Sequence, residues 1–155
     1  MEITIREAEA GDEESIKRLN VEVFEHDAEF DPNLDLAWPD SPAGGSFYKA
    51  LASGEKDFCF IAEYGGEPVG FISLHRKNTS YRKGEMYEVD VIGVSEEFRG
   101  KGIGTQLMRH AEDFVREKGA DGLLLDVYSG NESAIGFYTQ NGFYEVSRMM
   151  QKKLT

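Results

Sequence analysis

The stretch VIGVSEEFRGKGIGTQLM, Val91–Met108, constrains the fold more than any other part of the chain. A strand-like apolar run ending at Val94 gives way to three glycines, Gly100, Gly102 and Gly104, which alternate with Lys101 and Ile103 and follow Arg99. From there the period turns helical. Over Gly102–Lys118, Ile103, Leu107, Ala111, Phe114 and Val115 share one stripe, and Gly119 ends the helix. Glycines strip side chains from such a turn so that backbone N–H groups converge, and the helix N-terminus adds partial positive charge. Strand, glycine turn and helix therefore make an anion cradle; the plainer alternative is a tight turn that needs glycine only for positive φ. A Walker loop is rejected, because Lys101 is followed by Gly102 rather than Ser or Thr. A dinucleotide fingerprint also fits poorly, since the spacing is G-x-G-x-G and the turn does not follow the first strand.

The chain has 155 residues and no linker or repeat, so one domain over 1–155 is expected. Its formal net charge of −12 argues against a nucleic-acid surface. The N-terminus MEITIREAEAGD has neither a basic nor an apolar leader segment and no apolar run spans a membrane, so a cytoplasmic protein without membrane partners is expected. The single cysteine, Cys59, lies in the apolar run FCFIA and reads as a buried thiol.

The remaining elements follow from pattern. Ile3–Glu7 alternates as a strand does, and Asp12 is positioned to N-cap a helix with Ile16, Leu19 and Val23 on one face. Asp31–Ser46, with three prolines and Gly44–Gly45, predicts a long loop, followed by a short helix over Phe47–Ala52. DFCFIAEY and EPVGFISLH flank Gly65–Gly66 as a hairpin. Met86–Val94 predicts the next strand, GLLLDVYS at Gly122–Ser129 a buried one, Glu132–Gln140 a helix, and a closing strand starts at Phe143. The fold class is α/β (α+β), with helices packed on a sheet.

Two motifs in order, VIGVSEEFRGKGIGTQLM and NESAIGFYTQNGF, together with the opening TIREAEAGDEESIKRL and the hairpin FIAEYGGEPVGFISL, resemble the GNAT superfamily of acetyl-CoA-dependent N-acetyltransferases. The resemblance spans essentially the whole chain. It implies a mixed, mostly antiparallel central sheet splayed between the fourth and fifth strands and flanked by helices. It further implies an enzyme that moves an acetyl group from acetyl-CoA to a primary amine. Apart from the resemblance, His26, His75 and His110 are scattered with no ligand spacing, so no metal is expected. By the same resemblance Arg99, Gly100, Lys101, Gly102, Ile103, Gly104 and the following Thr105 bind the CoA pyrophosphate, Ile92 and Val94 form the strand end beside pantetheine, Asn131 contacts the pantetheine arm, and Tyr138 stands near the thioester sulfur.

Acetyl transfer needs a neutral amine, and an alkylamine with a pKa of about 10.4 is mostly protonated, at a cost of about 4–5 kcal/mol at pH 7. A carboxylate acting directly or through water can take that proton. Glu88 and Asp90 are the candidates; they share parity with Ile92 and Val94, which puts all four on one face of an undistorted strand. Both acids could equally face solvent, or hold the amine without deprotonating it. Tyr138 is the candidate proton donor to the departing thiolate, or else a packing aromatic. Asn131 could simply be a turn residue or a neighbour of a helix N-cap.

The segment from Glu25 to Tyr48 combines Asp27, Asp31, Asp35 and Asp40 with Phe30, Trp38 and Phe47, which suits a cationic acceptor and suits a solvated acidic loop equally well. Two rivals to the enzyme are a non-catalytic acyl-CoA-binding or regulatory module of the same fold and a nucleotide-binding oxidoreductase. The C-terminal YEVSRMMQKKLT contains no turn residue, so one long or bent strand is expected there, with a homodimer joined near it through Met149, Met150 and Leu154.

Overall fold

In a computed structural model that describes residues 1–55 and 57–155, eleven short elements build one sheet with helices on both faces. The strands β1 (Thr4–Glu7), β2 (Phe58–Tyr64), β3 (Glu67–Lys77), β4 (Met86–Val94) and β5 (Gly122–Leu124) lie side by side in sequence order. All neighbours are antiparallel except β4 and β5, which run parallel over only Met86–Gly122, Tyr87–Leu123 and Glu88–Leu124. The helices are α1 (Glu13–Asp27), α2 (Pro42–Ser53), α3 (Ile103–Glu117) and α4 (Glu132–Gln140). Among the described residues no helix is long and apolar enough to cross a membrane.

The β2–β3 hairpin closes as its glycine pair demands. Gly65 and Gly66 have φ of 59° and 82°, the left-handed geometry whose twist matches the flanking strands. Two cores result, one on each face. On one, Ile72, Leu74 and Val89 pack against Ile103, Leu107, Met108, Ala111 and Val115 of α3. On the other, Ile61, Phe71 and Cys59 pack against Ile16 and Leu19 of α1 and Tyr48 and Leu51 of α2.

Three expectations are corrected. Residues 31–46 are not one long loop: Trp38–Asp40 forms a 3₁₀ turn and α2 already starts at Pro42. Ser41 caps it, its Oγ accepting from the Gly44 N–H at 3.1 Å, and Pro42 supplies the preset first turn. Gly44 is required there because a Cβ would overlap the carbonyl oxygens of Trp38 and Pro39. The strand expected over Gly122–Ser129 is paired only to Leu124. Lastly, residues 143–155 form no strand, and Tyr144, Met149, Met150 and Leu154 are more than four-fifths exposed. An alternating pattern makes a strand only where an edge accepts its hydrogen bonds, and among the described residues no strand pairs with this segment.

Asp12 stands at the N-cap position of α1, but its side chain does not cap the helix. Its carboxylate instead accepts from both Arg6 terminal nitrogens, at 2.8 and 2.9 Å, and from the Glu9 N–H at 2.7 Å, tying β1 to the entry of α1. The Arg6 guanidinium holds the Asp12 carboxyl below its ordinary range. Asp12→Ala is expected to cost about 2 kcal/mol in urea unfolding at neutral pH. A lowered folded-state pKa gives stability that is present above the unfolded value and lost as pH falls through the folded one. The gap between the variant and the unaltered chain should therefore shrink in acid.

Candidate active site

β4 carries the decisive irregularity. Ser73 pairs with Val91 but Leu74 pairs with Val89, so one extra residue, Asp90, bulges from β4. The bulge reverses the strand's alternation. Glu88 stays opposite His75 on the face that carries α1 and α2, while Ile92 and Val94 turn to the α3 core. The four residues placed on one face by simple parity are thus divided two and two. Beyond Glu88 and Leu124 the pairing of β4 with β5 stops; a cleft of about 2620 Å³, lined by Met86 and residues 90–94 of β4 and by residues 122–129, runs along the two strands and includes this gap.

Of the residues singled out from sequence, Asp90, Ile92, Val94, Arg99, Gly100, Gly102, Ile103, Gly104, Thr105, Asn131 and Tyr138 line this cleft. Glu88 and Lys101 do not. Glu88 is held by Lys77 Nζ at 3.1 and 3.2 Å, and the Lys101 ammonium lies 5.4 Å from the Phe98 ring centroid. Gly100 and Gly102 have φ of 75° and 82°, and a Cβ on either would meet nothing within 4 Å, so the turn is open as well as left-handed. Gly104 has another job: its missing Cβ admits the Phe137 ring of α4, whose Cζ would lie 3.2 Å away. Arg99 bends back, its Nε donating to the Val94 carbonyl at 3.0 Å and its Nη2 lying 3.9 Å from Glu22. The positive end of the cleft is therefore made chiefly by the backbone N–H groups and helix terminus of α3.

Asn131 does cap α4, its Oδ1 accepting from the Ala134 N–H at 3.2 Å, which leaves its amide N–H₂ uncommitted at the cleft. Tyr138 is half-buried against Phe137 and Phe143. Burial, aided by the charge of Asp27, pushes its phenol up to about 12. Asp90 is exposed through its bulged backbone, yet its side chain keeps only 23 % of its exposure. Burial pushes this carboxyl up to about 6, against the opposing charge and hydrogen bond of His75, whose Nδ1 lies at 2.8 Å.

On the α1 side the cleft is bounded by Asp27, Phe30 and Asp31. Tyr128 donates to Asp31 at 3.0 Å and stacks on Phe30 with centroids 6.4 Å apart. Trp38 and Phe47 are absorbed in an aromatic cluster with Tyr48 and belong to the packing beneath. The sequence reading gave His75 no role among scattered histidines, and it passed over Tyr128 and the buried Asn20, which donates to the Tyr48 hydroxyl at 2.7 Å. The alternation of His75 and Lys77 against Glu88 and Asp90 was a signal for the first; nothing local marked the other two. His75, Glu88 and Asp90 are also the one convergent set of metal-type donors among the described residues, with atoms within 4.8 Å of one another. The Lys77 ammonium on Glu88 competes there with any cation.

An apolar strand end, an open glycine turn at a helix entrance, a phenol and a carboxylate all line this one cleft. The acetyltransferase (GNAT) family profile matches residues 14–143. The chain belongs to the GNAT family. It is 36% identical to the streptothricin acetyltransferase of Streptomyces lavendulae over 156 residues, spanning 89% of this chain and 79% of that protein. Against an uncharacterised N-acetyltransferase of Methanocaldococcus jannaschii it is 36% identical over 100 residues, covering 64% of this chain but only 44% of that longer protein. Its fold is that of the BH1408 protein of Bacillus halodurans (TM-score 0.88, 24% identity, 98% of this chain and 99% of that one). It is also similar to AAC(6')-Iy in complex with the bisubstrate analogue CoA-S-monomethyl-acetylneamine (TM-score 0.75, 18% identity, 100% and 99% covered). The mixed, mostly antiparallel sheet, opening between the fourth and fifth strands, is the one the resemblance implied.

Proposed function

We propose that this GNAT protein is an acetyl-CoA-dependent N-acetyltransferase that passes the acetyl group directly to a primary amine in a ternary complex. The observation that carries this reading is that the α3 glycine turn, Asp90 and Tyr138 all line one cleft. The turn receives the CoA pyrophosphate and the edge of β4 from Ile92 to Val94 receives pantetheine. The amine nitrogen attacks the thioester carbon, and as the C–N bond forms its ammonium becomes acidic enough for Asp90 to take the proton. The C–S bond breaks with its electrons on sulfur, which accepts the Tyr138 proton; exchange with solvent then returns the proton from Asp90 to the phenol. Asp90 is favoured over Glu88 because it lines the cleft, whereas Glu88 is committed to Lys77. A covalent acetyl-enzyme finds no nucleophile in Cys59, which is buried on β2 with its thiol pushed up to about 12.

A neighbour that holds a CoA-bearing bisubstrate analogue supports the cosubstrate, and the streptothricin-acetylating relative supports a small-molecule acceptor. Asp27 and Asp31 beside Phe30 favour a cationic one. A module that merely bound acyl-CoA would need the turn, not a raised carboxyl and a protonated phenol lining the same cleft.

Thiol release from acetyl-CoA over a panel of spermidine, neamine, lysine and a peptide with a free N-terminus tests the reading. At least one amine should turn over, with kcat/KM falling on the acid side near pH 6 as Asp90 protonates. Asp90→Asn should lower kcat by roughly 10²–10⁴-fold and abolish that limb. Turnover at the unaltered rate in Asp90→Asn would reassign the base, and CoA binding without any turnover would favour the module. Gly102→Asp should weaken CoA binding at least tenfold in calorimetry, by placing a carboxylate and a strained backbone where the pyrophosphate approaches.

The same chain pairs with a second copy in this proposal. Five apolar side chains after α4 (Tyr144, Val146, Met149, Met150 and Leu154) are 59–92 % exposed, and the outer edge of β5 has no strand beside it among the described residues. Light scattering should give a dimer mass at micromolar concentration, and Met150→Glu should shift it toward monomer. A monomer in the unaltered protein would end the idea.

A further inference from the structure

The ring of His75 lies between two carboxylates. Its Nδ1 is 2.8 Å from Asp90 Oδ1 and its Nε2 is 3.6 Å from Glu88 Oε1. Glu88 is pinned in turn by Lys77. Strand register explains the order: His75 faces Glu88 across the β3–β4 ladder, Lys77 lies two residues along on the same face, and the bulge sets Asp90 beside them. Only Asp90 among the four reaches the cleft.

A surface ion-pair network would account for Lys77 and Glu88 alone. It does not account for His75, whose shortest bond goes to the one acid that the bulge has removed from the ladder. Among the described residues this is also the only hydrogen bond that the Asp90 carboxylate accepts. We infer that His75 is a positioning residue for acetyl transfer: its Nδ1–H fixes the Asp90 carboxylate toward the cleft and keeps it in the ionised form that accepts the amine's proton. The inference rests on the reading of Asp90 as the base. Its chemistry is direct, since an N–H can be accepted by the ionised carboxylate oxygen, and protonation of that oxygen forfeits the bond.

The surrounding charges define the sign. Burial raises the Asp90 carboxyl, Asp57 before β2 and Glu88 on its own strand raise it further, and His75 opposes them through its charge and its hydrogen bond. Lys77 bears on Glu88, and Asp126 beyond β5 bears on Lys77. His75 is the one influence that lowers the Asp90 carboxyl; burial, Asp57 and Glu88 all raise it.

The experiment combines carbon-13 NMR titration of labelled aspartate with steady-state kinetics, using acetyl-CoA and the best amine of the panel above. The Asp90 resonance is assigned by its loss in Asp90→Asn. His75→Leu should move the Asp90 midpoint, and with it the acid limb of kcat/KM, upward by on the order of one pH unit. It should also lower kcat on the order of tenfold while leaving KM for acetyl-CoA unchanged. His75→Asn, whose amide N–H stands where Nδ1–H stood, should restore most of both. In the Asp90→Asn background His75→Leu should have no further effect, because its action runs through that carboxylate. An unmoved or lowered midpoint in folded His75→Leu, checked by its melting transition, would overturn the positioning role while leaving Asp90 as base. Full activity in Asp90→Asn would instead remove the base itself, and the positioning role with it.

Discussion

One surplus residue in β4 governs the site. Between Val89 and Val91 the strand holds a residue that β3 cannot pair, and the alternation of side chains reverses across it. Val89 below the bulge and Ile92 and Val94 above it therefore all join the α3 core, despite their different parity. Asp90 is pushed toward the opening. Two residues earlier along the strand, the ladder to β5 ends at Glu88, and so the upper half of β4 keeps a free edge facing the gap. An edge of unpaired N–H and C=O groups beside a helix N-terminus can take an extended, anion-ended ligand by the same hydrogen bonds that a strand would have used.

The charge distribution divides that gap. The chain is strongly acidic, and its two cations at the glycine turn do not simply point into the cleft: Arg99 closes onto the Val94 carbonyl and Lys101 lies over Phe98. Anion affinity at that end comes from oriented backbone dipoles, which stay in place when side chains move. Asp27, Asp31 and Asp90 line the same cleft, and negative charge there disfavours an anion and favours an ammonium. The same negative surroundings help to keep the Tyr138 phenol protonated.

Particular elements show where pattern sufficed. The Gly65–Gly66 turn, the stripe from Ile103 to Val115 and the Asn131-capped α4 are local decisions, each made by φ preference, helical period or a side-chain cap within a few residues. The start of α2 was hidden because Gly44 looks like a loop residue, and only the approach of the Trp38 carbonyl explains it. The strand after Leu124 and the one expected from Phe143 failed for one reason: alternation describes a face, while a strand also needs a neighbour.

By itself, then, the sequence determined the family, the order of strands and helices as far as α4, and the open glycine turn, because these depend on contacts near in the chain. It also marked Glu88 and Asp90 as acids out of place in an apolar strand. Which of the two meets the cleft was decided only in three dimensions, by a register shift that no period in β4 announces. The pairing of His75 with Asp90 and of Tyr128 with Asp31 was decided there too, for hydrogen bonds between residues 15 and 97 positions apart are properties of the packed sheet and helices, not of either segment alone.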